Sequence, residues 1–189
     1  TGGTVTITPD QVNTDNNGNG LSSDNCSNEF LTLTLDIDTF YCYDIGPNTV
    51  TLTVTDSGNN IDSATAIVTV VDDMAPTVVT QDVTVELDAN GQGSITTADI
   101  DNGSSDNCDI TLSLDVTSFD CTNLGANTVT LTGTDSSGNS STVTATVTVV
   151  DDIAPTMVAM DATVSLDANG AATITTADID NGSSDNCDV

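Results

Sequence analysis

Asp99, Asp101, Gly103 and Asp106 place carboxylate oxygens on near-alternate residues, with a glycine where the chain must turn. Calcium loops space their hard oxygen ligands in much this way. The stretch is not an EF-hand, because the distal glutamate is missing and no helical pattern flanks it. Residues 97–108 return letter for letter as 176–187, so Asp178, Asp180 and Asp185 repeat the set. Asp72-Asp73 and Asp151-Asp152 fall at the junctions between repeats, where a divalent cation would bridge adjacent units. Calcium is the expected ion at one or more of these sites. The competing reading is that these Asp and Asn residues serve only as turn formers and side-chain caps.

The charge balance sharpens the choice. The chain of 189 residues has 29 acidic side chains and no Lys, Arg or His, for a net charge of -29. Salt bridges are therefore excluded, and repulsion must be relieved by counterions or bound metal. Binding to nucleic acid or to an anionic membrane surface is disfavoured. Without His or Lys there is no Ser-His-Asp triad, no Cys-His pair, no Schiff base and no histidine metal site. Paired carboxylates alone would suit a glycosidase, but no aromatic sugar platform or cleft-forming insertion accompanies them. The expectation is a protein that is not an enzyme. No apolar run is long enough to span a membrane.

Five cysteines supply the second kind of chemistry. Cys26 with Cys42, and Cys108 with Cys121, occupy matching places in successive repeats, and Cys187 matches Cys108. Pairing within each repeat would close short loops, each contributing on the order of 3 kcal/mol. On that reading the partner of Cys187 lies beyond the last residue, and the setting is oxidising and extracellular. Free buried thiols are the alternative.

These loops must be held by strands. The period is 79 residues, and 151–189 match 72–110 at 29 of 39 positions. Repetition at such a period marks an array. It divides the chain into 1–71, a repeat short of its opening strand; 72–150, a complete repeat; and 151–189, the start of a third. Half-units at the two ends fit a fragment of a longer array, or strand exchange between chains. Apolar and Thr residues alternate at period two over 4–8, 31–35, 48–55, 63–71, 83–87, 110–114 and the 129–149 hairpin, the mark of half-buried strands. Asp88-Ala89-Asn90-Gly91 reads as a tight hairpin turn, and 94–97 as the return into the central loop. Residues 15–20 read as a loop and 56–59 as a turn; Asp135-Ser136-Ser137-Gly138-Asn139 resembles the candidate cation loops but reads mainly as a hairpin turn. Phe40 and Phe119, each two residues before a cysteine, are expected in the core. About seven short strands per repeat with no helical periodicity predict an all-β fold. The predicted form is tandem immunoglobulin-like antiparallel β-sandwich repeats strung end to end as a rod.

The Asp-Asp-x-Ala-Pro-Thr junctions, the Leu-Asp-Ala-Asn-Gly turn, the 97–108 stretch and Asn-Thr-Val-Thr-Leu-Thr together resemble a known kind of array. They are similar to the HYR-like, immunoglobulin-like tandem repeats of giant surface adhesins in gliding bacteria, of the SprB type. The resemblance implies type IX secretion, display as filaments on the cell surface and a part in adhesion or gliding motility. Expected partners are further repeats of the same polypeptide, lateral or end-to-end contacts between copies, and surface polysaccharide. Membrane insertion is not expected. Two further readings compete: a module that binds polysaccharide or a partner protein directly, and an acidic surface protein adapted to high salt.

Overall fold

A computed structural model of the chain describes residues 3–13, 23 and 31–187. The loop expected at 15–20, and Cys26 with its neighbours Asp24 and Asn25, lie outside the described residues. The fold is all-β with several sheets, as the alternating Thr and aliphatic residues require. No helix among the described residues is long and apolar enough to cross a membrane.

The chain forms two compact units, and they cut it differently from the sequence period. The first gathers Thr1–Pro76 with Ser105–Ile110 and Thr134–Ser140. The second comprises Thr77–Ser104, Thr111–Gly133 and Ser141–Val189.

In the first unit, β1 (Thr4–Thr6) precedes a single helical turn, α1 (Pro9–Val12). There follow β2 (Thr32–Leu35), β3 (Thr39–Tyr41), β4 (Gly46–Thr55) and β5 (Ile61–Val70). β1 pairs antiparallel with β3, and the other three form a sheet in the order β2-β4-β5. The β4–β5 hairpin runs in register from Gly46 opposite Val70 to Thr55 opposite Ile61. Phe40, Val50 and Leu52 are buried, whereas Ile61 and Ile67 on β5 stay exposed.

The second unit repeats this plan and adds a strand. β6 (Val83–Glu86), β7 (Gln92–Ser94), α2 (Thr97–Ile100), β8 (Thr111–Leu114), β9 (Ser118–Asp120), β10 (Gly125–Thr134) and β11 (Ser140–Val150) follow in order. Four of them form a sheet in the order β6-β11-β10-β8, while β7 pairs with β9. β6 lies parallel to β11, Val83 opposite Val147. Val129 and Leu131 from β10, Ala145, Val147 and Val149 from β11, and Phe119 from β9 bury together with Ile95 and Ile100. Val143 shares the parity of that face but is 39% exposed, because it sits near the hairpin tip beyond the end of the core.

Over 94–97 the chain leaves the sheet for the central loop. The strand ends at Ser94, and residues 97–100 turn as a helix. Thr96 caps it, its N–H and Oγ1 both donating to Asp99 at 2.7 Å. Four residues are too few for a helical period to register, but the Thr-x-x-Asp spacing of a capping box was present in the sequence.

The cysteine pairing is the larger correction. Cys42 is bonded to Cys108, and Cys121 to Cys187, each pair 66 residues apart with Cα atoms 5.5 and 5.3 Å apart. Cys108 does not close a short loop with Cys121, Cys42 does not pair with Cys26, and the partner of Cys187 lies within the chain. The thirteen residues from Cys108 to Cys121 run out through β8 and β9, and the two cysteines belong to different compact units. Cys42 sits on a single 3-10 turn after β3. The Gly3 N–H donates to the Asn107 carbonyl at 2.6 Å, which holds the Cys108 loop beside it.

Candidate metal centre

Three carboxylates of the first unit converge: one oxygen each from Asp72, Asp106 and Asp135 lies within 4.8 Å of the others. Each reaches the cluster by a different local device. Asp72 follows β5 and turns the chain by accepting the Met74 N–H at 3.3 Å. Asp106 accepts the Cys108 N–H at 3.0 Å, so the disulfide half-cystine and the ligand candidate share one turn. Asp135 opens the hairpin tip between β10 and β11, where its N–H donates to the Asn139 carbonyl at 3.0 Å.

Asparagines tie the three together. Asn107 donates its side-chain amide to Asp72 at 3.2 Å. Asn139 donates its side-chain amide to Asp135 at 2.7 Å and to the Asp72 backbone carbonyl at 3.0 Å. Asp135 is only 7% exposed. Desolvation pushes its carboxyl up, but the Asn139 side chain and N–H, with Gly138 and Ser137, outweigh that and hold it below the ordinary carboxylate range. Asp72 Oδ2 and Asn107 Oδ1 are buried and have no hydrogen-bond partner. Leaving such atoms unmatched is costly, and here they add to the repulsion of three neighbouring carboxylates.

The aspartate–asparagine part of the arrangement recurs one period later in the second unit. Asn186 donates to Asp151 at 2.9 Å, Ile153 N–H donates to the same oxygen at 3.1 Å, and Asp185 Oδ1 and Asn186 Oδ1 are again buried without partners. The donors at both places are oxygens alone, a set suited to hard divalent cations rather than to soft metals.

Of the residues singled out in the sequence, Asp72 and Asp106 come together and Asp151 and Asp185 occupy the matching positions. Asp99, Asp101, Asp178 and Asp180 serve local turns. Asp101 accepts the Ser104 N–H at 2.9 Å, and Asp180 accepts the Ser183 N–H at 3.0 Å. Asp178 caps Thr175 as Asp99 caps Thr96. Hydrogen bonds from Thr96 and Ser104, and from Thr175 and Ser183, hold these four carboxyls below their usual range. Asp73 and Asp152 are exposed and lie outside the cluster. Asp135 is the member that the sequence, despite a loop resembling the cation candidates, gives mainly as a hairpin turn. It is such a turn, and the likeness of the loop was the available signal, but a local pattern does not tell which distant carboxylates Asp135 faces.

No family model matches the chain, and no curated protein matches it. Among solved structures, an endo-fucoidan hydrolase of glycoside hydrolase family 107 aligns over 65% of this chain and 24% of its own, with 17% identity and a TM-score of 0.29. The chain thus spans about a quarter of that protein, and so distant a likeness carries no argument.

Proposed function

We propose that the chain is a structural segment of a long extracellular surface filament or adhesin, built of tandem immunoglobulin-like repeats and stiffened by disulfides and bound calcium. One observation carries the reading: a 66-residue disulfide loop recurs at one repeat's spacing together with the bond from Asn107 to Asp72 and from Asn186 to Asp151, with the same amide oxygen left buried without a partner at Asn107 and Asn186. A device copied once per repeat serves the array rather than a single recognition event. Two disulfides support an oxidising, non-cytoplasmic setting. The resemblance to HYR-like repeats of gliding-motility adhesins supplies the wider role, adhesion or gliding at the cell surface after type IX secretion. In this reading the chain is no enzyme, and its first partners are further repeats of the same polypeptide.

Calcium is the ion proposed, held by Asp72, Asp106 and Asp135, with Asp151 and Asp185 contributing to the matching place. Isothermal titration of the chain with calcium should show saturable binding, with a higher melting temperature in calcium than in chelator. Identical melts in both would remove calcium from the proposal. A fold that needs molar salt of any kind, and gains nothing from calcium, would favour the halophilic reading.

The second reading, direct recognition of polysaccharide, draws on one feature. An open groove beside β6 is lined by polar groups including Gln81, Glu86, Gln92 and Asp99. No aromatic ring lines it, so it lacks the stacking surface on which sugars usually rest. A glycan array probed with the whole chain separates the two readings.

A further inference from the structure

The bridges and the repeats are out of step, and that has a mechanical consequence. Cys42–Cys108 closes a loop that contains β4, β5, β6, β7 and α2, and Cys121–Cys187 closes one that contains β10 and β11. Between the two loops lie only the residues from Cys108 to Cys121, which carry β8 and β9. We propose that the disulfides form a covalent bypass, by which tension along the chain crosses from Cys42 to Cys108 and from Cys121 to Cys187 without entering either loop. The strands that bury Val50, Leu52, Val129, Leu131, Val147 and Val149 are then shielded from load. Only β8 and β9 stand on the loaded path between the bridges.

The gain is a limit on extension. Fully stretched, a residue spans about 3.4 Å, so the stretch from Cys108 to Cys121 reaches about 45 Å, whereas each 66-residue loop would release about 220 Å if opened. A tether so built can lose its fold under load and still hardly lengthen. Pairing Cys26 with Cys42 and Cys108 with Cys121 would do the reverse, hiding the short stretches and exposing the long ones. The property follows from connectivity alone and holds whatever the wider role of the chain, provided that tension runs along it.

Single-molecule stretching of the oxidised 189-residue chain, held by its two ends, tests this directly. The bypass limits the total extension of the unfolded, oxidised chain to about 200 Å, against about 640 Å for the open chain. Adding dithiothreitol, which reduces each disulfide to two thiols and is itself oxidised to its cyclic disulfide, should then give two further steps of about 220 Å each. An oxidised chain that extends to about 540 Å, followed by reduction steps of about 50 Å, is the signature of short-loop pairing and would overturn the proposal. Extension of the oxidised chain to its full open length would overturn it as well.

Discussion

Asn107 donates its side-chain amide to Asp72 at 3.2 Å, and 79 residues later Asn186 makes the same bond to Asp151 at 2.9 Å. In both places the amide oxygen of the asparagine is buried without a donor. The first of these contacts sits beside the convergent carboxylates of Asp106 and Asp135, which ties the cation proposal to particular atoms. Asp135→Asn removes one charge from that cluster. It should cut the calcium-induced rise in Tm by at least half, while Asp99→Asn and Asp101→Asn leave that rise unchanged. Thermal melts of the three variants with calcium and with chelator make the comparison. An intact calcium response in Asp135→Asn would place the ion elsewhere.

The cluster and the first disulfide share the turn at residues 106–108, since the Cys108 N–H donates to Asp106. Freeing Cys108 from Cys42 releases that turn, so reduction should weaken calcium binding as well as stability. Losing a native disulfide from a small domain costs about 2–5 kcal/mol. Titration of calcium into oxidised and reduced protein, below the reduced protein's melting temperature, should show a weaker affinity after reduction. Equal affinities would show that the bridge does not hold Asp106.

Acid should destabilise the protein in a defined window. The carboxyls of Asp99, Asp101, Asp135, Asp178 and Asp180 are all held below their ordinary range in the folded state. A depressed folded value means a contribution that is present above the unfolded value, about 3.9, and lost as pH falls through the folded one. Acid also relieves the mutual repulsion of 29 acidic groups, which acts in the opposite direction. With calcium absent, Tm should hold between pH 7 and pH 5 and fall below about pH 4. A Tm that climbs steadily into acid would mean that general repulsion, not local hydrogen bonding, dominates.

Gly91 and Gly170 occupy the same Asp-Ala-Asn-Gly turn with nearly the same backbone, φ 70° and 75°. A side chain in that left-handed region costs about 1–2 kcal/mol. At Gly91 a Cβ would also stand 2.6 Å from Cys121 Sγ and 2.7 Å from the Asn186 carbonyl, whereas nothing lies within 4 Å at Gly170. Gly91→Ala should therefore lower Tm clearly more than Gly170→Ala, as read by calorimetry. Equal losses would mean that the Cys121–Cys187 bridge does not lie over this turn.

Much of the fold was legible because Thr-aliphatic alternation maps directly onto a sheet with one buried face. The β4–β5 hairpin falls within two residues of the expected segments and the β10–β11 hairpin begins four residues before its expected start, and Phe40 and Phe119 are buried as their spacing suggested. The capping role of Asp99 and Asp101 was legible too, as one of two readings that local sequence could not separate. Cys108 shows where such reading stops. Repetition fixes that Cys108 and Cys187 have like partners, but the separations of 13 and 66 residues satisfy the period equally well. Only the path of β8 and β9 between Cys108 and Cys121 decides between them. The loop of Asp135 resembled the cation candidates, but its convergence with Asp72 and Asp106 was not legible for the same reason, since it depends on long-range packing.

The connectivity of the cysteines bears most of this account, and peptide mapping of the oxidised protein tests it most directly. An Asp-directed protease applied without reductant, followed by mass spectrometry, should yield one linked pair that carries Cys42 and Cys108 and another that carries Cys121 and Cys187. Linked peptides that join Cys26 to Cys42 and Cys108 to Cys121 would contradict the fold, the shared turn at Asp106 and the covalent bypass together.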